Sequence, residues 1–307
     1  MSGLTRQRYE QLDDQDRSPA EGGGSKTEFA RNPNRTMDSI AFAPTLTLPV
    51  FVFIAGALVG SFLNVCIGRI PNGESVVSPG SRCPKCKTPI RFYDNVPLLS
   101  YLVLRGRCRA CRELISPRYF VVELMMALLG VALFSWFGLG FSFLVSFIFV
   151  AALIVISFID LDVRIVPDVI SLPGIVAGLI FSTLGYFFFR DGFGIMPTPL
   201  SSLIGILTGG GFLLATAWAY EKFTGVEGMG GGDIKLLAMI GAFLGWPSIP
   251  VTLFIASLLG SVVGVVCMVL TGAGRRLALP FAPFLCCGAL LYLFFANEII
   301  EFYLPAQ

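Results

Sequence analysis

The chain has 307 residues, of which 55% are hydrophobic and only 14% charged, well short of the roughly 25% charge of an ordinary soluble domain. That balance excludes a soluble enzyme and reads as an integral membrane protein. The net charge of +2 hides a strong asymmetry, and the chain has no histidine at all, so His-assisted nucleophilic catalysis and His-ligated metal sites are excluded.

In chain order, residues 1–45 come first. They are polar, mix six basic with seven acidic side chains and carry the run Glu21-Gly22-Gly23-Gly24-Ser25, a composition that predicts a disordered tail. A basic start followed at once by a short apolar core is missing, so the first apolar span is expected to stay in the protein. Residues 46–68 are expected to form the first transmembrane helix. Further spans long enough to cross a bilayer fall near 119–137, 140–159, 169–189, 200–220, 249–271 and 280–303. An eighth, 234–246, is short and interrupted by glycine; it opens at Asp233 and ends at Trp246-Pro247. The expected fold is an all-α polytopic membrane protein of about eight transmembrane helices, with a small zinc-binding loop domain at 69–118 and a membrane core at 119–307.

Ten of the 22 Lys and Arg residues lie from Arg69 to Arg118. Positively charged loops stay inside, which puts this segment in the cytoplasm and the tail in the periplasm. Arg164, Lys222 and the Arg275-Arg276 pair then also fall inside, and Arg190 alone sits in an outer loop. Two crossings separate Asp160 from Asp233, so both acids return to the cytoplasmic edge, where they can meet.

Cys83-Pro84-Lys85-Cys86 and Cys108-Arg109-Ala110-Cys111 form two C-x2-C pairs with 21 residues between them. Four thiolates suit tetrahedral Zn²⁺ and leave no open position, so the metal is expected to be structural. A reducing cytoplasm disfavours two disulfides. The loop is basic and contains Phe92, Tyr93 and Tyr101, yet positive-inside anchoring accounts for the charge without nucleic acid. The remaining Cys66, Cys267, Cys286 and Cys287 lie in apolar spans and read as small packing residues.

Gly228-Met229-Gly230-Gly231-Gly232-Asp233-Ile234-Lys235 places a carboxylate after a glycine run and at the head of an apolar segment. A helix start favours an anion there. Asp160 closes another span, at the carbonyl end of a helix, which disfavours a carboxylate. If the two converge, Asp233 is expected to ionise more readily and Asp160 to hold the shared proton. Such a pair can activate a water with one oxygen and protonate a departing amide nitrogen with the other, which is aspartic proteolysis. The side-chain-free run would let an extended peptide lie close beside the acid. Alone, the glycines read as a loose loop and Asp233 as a helix cap. Asp162 and Asp168 compete with Asp160: Asp168 is expected to cap the following span and Asp162 to pair with Arg164, and spacing alone does not choose among the three.

Several motifs in one order resemble the type IV prepilin peptidases, intramembrane aspartyl proteases of the GxGD type. They run from Gly60-Ser61-Phe62-Leu63-Asn64-Val65 and Arg69-Ile70-Pro71, through the two Cys pairs enclosing Tyr93-Asp94-Asn95-Val96-Pro97-Leu98-Leu99-Ser100, to Leu104-Arg105-Gly106-Arg107-Cys108. Ile159-Asp160 with Pro167-Asp168, and Gly230-x-Gly232-Asp233-x-Lys235, complete the set. The resemblance implies that Asp160 and Asp233 are the catalytic pair, with Gly230, Gly232 and Lys235 in the supporting loop. It further implies substrates: prepilins of type IV pili and pseudopilins of type II secretion, cut at the cytoplasmic face of the bacterial inner membrane. Many members then methylate the new N-terminus with S-adenosylmethionine, an activity the resemblance links to Gly106 and Arg107. The tail, and an outer loop at 190–194, are longer than is usual in that family.

Prepilin leaders are basic, so some acid must receive them, and Glu74, Asp94, Glu113, Glu123 and Glu227 are the candidates. Two other readings stand beside the peptidase. A proton-coupled transporter would need an acid deep in the bilayer, and a non-enzymatic secretion-system scaffold leaves the glycine–Asp motif unexplained.

Overall fold

A computed structural model of the chain describes residues 34–189, 197–225, 230–271 and 279–303. The tail before residue 34, the loop at 190–194, Glu227, Gly228, Met229 and the Arg275-Arg276 pair lie outside the described residues. The chain divides into two units, Met1–Pro44 and Thr45–Gln307. The described part of the first is helical and opens α1 (Asn34–Arg69); every later element belongs to the second.

Among the described residues every extended element is a helix, and the only bridges between backbone segments are Arg82 with Pro89 and Arg107 with Leu114. A five-residue helix, α2 (Leu99–Val103), lies in the loop after α1. Then come α3 (Pro117–Phe137), α4 (Phe141–Val163), α5 (Asp168–Phe188), α6 (Pro199–Thr224), α7 (Gly231–Leu244), α8 (Ser248–Thr271) and α9 (Ala282–Tyr303). Among the described residues six segments are long and apolar enough to cross a membrane: Thr47–Asn72 and the helices α3, α4, α5, α6 and α8. The apolar part of α9, Ala282–Ala296, is shorter. So is α7, whose 14 residues span only about 21 Å. All the apolar spans expected from sequence are therefore helices, and α7 falls below full bilayer thickness.

Local sequence sets the ends. Ser116 and Thr198 each accept a backbone N–H in the first turn of α3 and α6, with Pro117 and Pro199 at the first helical position, where a missing N–H costs nothing. Helix α4 stops at Arg164, whose left-handed conformation returns its N–H to the Asp160 carbonyl at 2.9 Å.

Helix α7 is the innermost element, and every residue from Leu236 to Leu244 is buried. Small residues let its neighbours close on it. A Cβ on Gly205 of α6 would run into the Gly241 carbonyl, one on Gly209 would lie 2.7 Å from the Leu237 carbonyl, and one on Gly178 of α5 would lie 2.7 Å from Ala242 Cβ. Close backbone approach of this kind drives helix association where lipid offers no hydrophobic gain. The Phe149 ring of α4 stacks on Phe243 at 4.6 Å from the other side. The same device joins α1 to α3, because Gly56 and Gly60 lie against the backbone of Ala127 and Glu123. Trp246 N–H donates to the Ser201 carbonyl at 3.2 Å, so the end of α7 sits at the start of α6 and its beginning lies at the opposite end of the bundle.

Candidate active site

Asp160 lies in the last turn of α4 and is 5% exposed. Its Oδ2 accepts the backbone N–H of Ala282, the first residue of α9, at 3.1 Å. Asp233 is the third residue of α7 and is half-buried. The two carboxylates are close enough that the charge of Asp160 is felt at Asp233. Cys286 of α9, a buried residue hydrogen-bonded to Ser157, lies within electrostatic reach of both. It is a buried packing residue of the apolar core, as expected.

Two contacts dock the start of α7 on the α4–α5 connection. A Cβ on Gly232 would stand 2.7 Å from Val166 Cβ, so only glycine allows this approach. Lys235 Nζ donates to both carboxylate oxygens of Asp168 at 2.7 and 2.8 Å. Gly230 and Gly231, by contrast, have open space where a Cβ would point, and Gly230 is extended with φ −68° and ψ 138°. The glycine run thus has two jobs: Gly232 sets Asp233 near Asp160, while Gly230 and Gly231 leave room beside the acid.

The three competing acids separate clearly. Asp162 forms an ion pair with Arg118 at the start of α3, not with Arg164 as expected. Asp168 pairs with Lys235, while Pro167 holds the cap position of α5 without a side-chain cap, so the capping expectation is replaced by an ion pair. Asp160 is the buried one of the three. The premise that Asp160 faces only a helix C-terminus also changes, because the N-terminus of α9 supplies it with an N–H donor and offsets that disadvantage.

The loop after α1 carries two equivalent knuckles. Cys83 N–H donates to Thr88 O at 3.0 Å and Lys87 N–H to Cys83 O at 2.9 Å; Cys108 N–H donates to Glu113 O at 2.9 Å and Arg112 N–H to Cys108 O at 3.0 Å. Lys87 and Arg112 occupy the same place in each turn with φ near +60°. Cys83 and Cys111 Sγ lie 3.9 Å apart, Cys86 and Cys108 Sγ 4.0 Å, and all four sulfurs within 4.8 Å of one another. Zinc–sulfur bonds of about 2.3 Å in a tetrahedron require separations of about 3.8 Å, so the four thiols can hold a metal ion. The Thr88 hydroxyl and backbone N–H pull the Cys86 thiol down to about 6, and the Cys111 and Ala110 N–H groups lower that of Cys108. Thiolate-stabilising donors of this kind are what a metal ligand needs.

Gly106 precedes the second knuckle. It is buried with φ +65°, and a Cβ there would meet the Tyr101 hydroxyl at 2.9 Å. Arg107, its neighbour, is exposed and pairs with Leu114 through backbone.

Of the acids expected to receive a basic leader, three are already engaged. Arg109 clasps Asp94 through three contacts of 2.6–3.0 Å and holds its carboxyl below the usual range. Glu113 faces Lys85 at 3.7 Å, and Glu123 is buried, its Oε2 accepting the Leu98 N–H at 2.7 Å. Glu74 remains exposed.

A helical membrane protein that brings two acids together at one end of its bundle and gathers four cysteines in the loop after its first helix defines the class. The chain belongs to the type IV leader peptidase family, which matches residues 147–265, preceded by the bacterial peptidase A24 N-terminal domain at residues 54–137. It is similar to the prepilin leader peptidase/N-methyltransferase of Aeromonas hydrophila, 37% identical over 277 residues and covering 82% of this chain and 92% of the relative. The protein of that name from Pseudomonas aeruginosa is 34% identical over 291 residues, 87% of this chain and 97% of the relative. That from Myxococcus xanthus is 41% identical over 229 residues, 74% of this chain and 65% of the relative. No solved structure matches the chain.

Proposed function

We propose that this protein removes the short basic leader from type IV prepilins and type II secretion pseudopilins at the cytoplasmic face of the bacterial inner membrane, and N-methylates the residue so exposed. The reading rests on its family and on the approach of Asp160 to Asp233. In it, one carboxylate takes a proton from the attacking water and the other, protonated, gives one to the amide nitrogen that leaves. The Ala282 N–H fixes the Asp160 carboxylate, and the Gly232–Val166 contact fixes Asp233. Gly230 and Gly231 offer open backbone along which an extended peptide can lie.

Zn²⁺ bound by Cys83, Cys86, Cys108 and Cys111 would supply a closed structural cross-link and no open coordination site for chemistry. The methyl donor is S-adenosylmethionine, with Gly106 and Arg107 in the segment that serves it. The bonded partners of Asp94 and Glu113 move the receipt of a basic leader away from these two acids and towards Glu74.

Purified protein incubated with a prepilin and S-adenosylmethionine, and with Asp160→Asn and Asp233→Asn variants alongside, tests both steps by product mass. Leader loss with both acids intact, absent in either variant, with an added methyl mass, is expected. Cleavage that survives either change would overturn the pair, and no cleavage of several prepilins by the intact chain would favour a scaffold or transporter.

A further inference from the structure

Helix α2 is too short to be a structural element in its own right, yet its placement is tightly determined. The Leu98 N–H just before it is held by Glu123 Oε2 at 2.7 Å, and the Tyr101 ring packs on Phe120 with centroids 5.4 Å apart. Phe120 and Glu123 are the fourth and seventh residues of α3. At 1.5 Å per residue they lie about 5 and 9 Å beyond its start. Helix α3 is itself a membrane span of 21 residues, close to the length that just crosses about 30 Å of hydrocarbon. Helix α2 is therefore tied alongside the end of a span and does not stand off in water.

Tyr101 turns inwards to α3. The positions Leu99, Leu102 and Val103 follow the i, i+3, i+4 spacing of one helix face, and they are 58%, 61% and 68% exposed. Arg105 follows at once in a left-handed turn and is exposed. An apolar face bordered by a cation, at this depth, has the chemistry of an interfacial anchor: aliphatic side chains among the acyl chains, a guanidinium at the phosphates.

We propose that α2 inserts its Leu99–Leu102–Val103 face into the adjoining bilayer leaflet, with Arg105 on anionic headgroups, so that the metal-binding loop rides on the membrane surface through a contact of its own. The inference does not rest on the peptidase reading. A second macromolecule on this face, such as a substrate peptide, is the competing outcome.

Benzoylphenylalanine in place of Leu102 or of Val103 in the full chain, reconstituted in phosphatidylcholine vesicles with and without 30% phosphatidylglycerol, tests it after illumination and peptide mass analysis. Phospholipid adducts are expected at a yield near that of the same probe at Leu128, a lipid-exposed position of α3, and at least fivefold above that at Glu74. The yield should rise about twofold with phosphatidylglycerol, and lose that rise in Arg105→Gln. Adduct levels no higher than at Glu74 would overturn the insertion, as would adducts that form with an added prepilin peptide in place of lipid. Indifference to phosphatidylglycerol would overturn the role of Arg105. The readout needs no enzymatic activity, so it remains decisive if the peptidase reading fails.

Discussion

Gly232 and Val166 meet so closely that a single added methyl on the glycine would fall 2.7 Å from the valine Cβ. This contact joins the α4–α5 connection to the start of α7, and it fixes Asp233 one residue further on. Gly232→Ala should therefore displace the acid with the fold retained, at a cost of about 1–3 kcal/mol for the overpacking. Leader removal should fall about 100-fold, as expected for a shift of about 1 Å at a reacting group. Gly230→Ala, with open space and an extended backbone, should carry no overpacking cost and melt as the parent does, so a loss of rate there would report the room it leaves for the peptide. Val166→Gly, which removes the Cβ that the new methyl would meet, should recover much of the loss in Gly232→Ala; rates for the parent, the two single variants and the double variant, with melting curves, would check this, and no recovery in the double variant would refute the contact as the cause.

The Lys235–Asp168 ion pair makes the second link between the same two segments, but it is partly exposed, with side chains 36% and 56% accessible. Pairs of this kind contribute about 0–1 kcal/mol. Lys235→Ala and Asp168→Asn should each lower the rate by less than about tenfold, and together by no more than either alone. Asp160→Asn should cost at least about 100-fold, the scale of lost acid–base catalysis. An Asp168→Asn loss as deep as that of Asp160→Asn would make Asp168 a reacting group.

Metal content and the two activities should separate at the cysteine loop. One zinc per chain is expected by elemental analysis, lost in Cys83→Ser, whose side chain is buried, and on strong chelation. Leader removal should keep most of its rate while methyl transfer is lost, because the acid pair is built from α4, α7 and α9 and not from the loop. Gly106→Ala, which forces a Cβ into Tyr101 from a left-handed backbone, should show the same division with zinc retained. Equal loss of both activities in Gly106→Ala would tie the loop to proteolysis.

How much of the fold is legible in the sequence depends on the range of each interaction. Long apolar runs satisfy their own backbone hydrogen bonds, so the helices announced themselves, and the C-x2-C spacing announced the knuckles because each turn closes within a few residues. The glycine–Asp motif flagged Asp233 in the same local way. The partners of the acids were hidden because they are distant in sequence: Arg118 lies 44 residues from Asp162 and Ala282 lies 122 from Asp160. Nor does a glycine run say which of its members is there to be approached by the protein and which is left open; Val166 decides that.

The Ala282 N–H is the sharpest test of how Asp160 works. As the first residue of α9, Ala282 sits where proline is tolerated in a helix, so Ala282→Pro removes the donor to Asp160 Oδ2 without removing the acid. A hydrogen bond to a charged group contributes about 1.5–3 kcal/mol. If that bond serves the ionised carboxylate in the transition state, the cleavage rate should fall about 10- to 100-fold. Ala282→Gly keeps the N–H and should lose much less, which separates the donor from the side chain. Carbonyl-stretch infrared on the same proteins, with Asp160→Asn and Asp233→Asn to assign the bands, then tells which acid holds the shared proton. A protonated band that vanishes only in Asp233→Asn would place the proton on Asp233 and leave Asp160, held by α9, as the base. A rate unchanged in Ala282→Pro would show that α9 contributes packing alone.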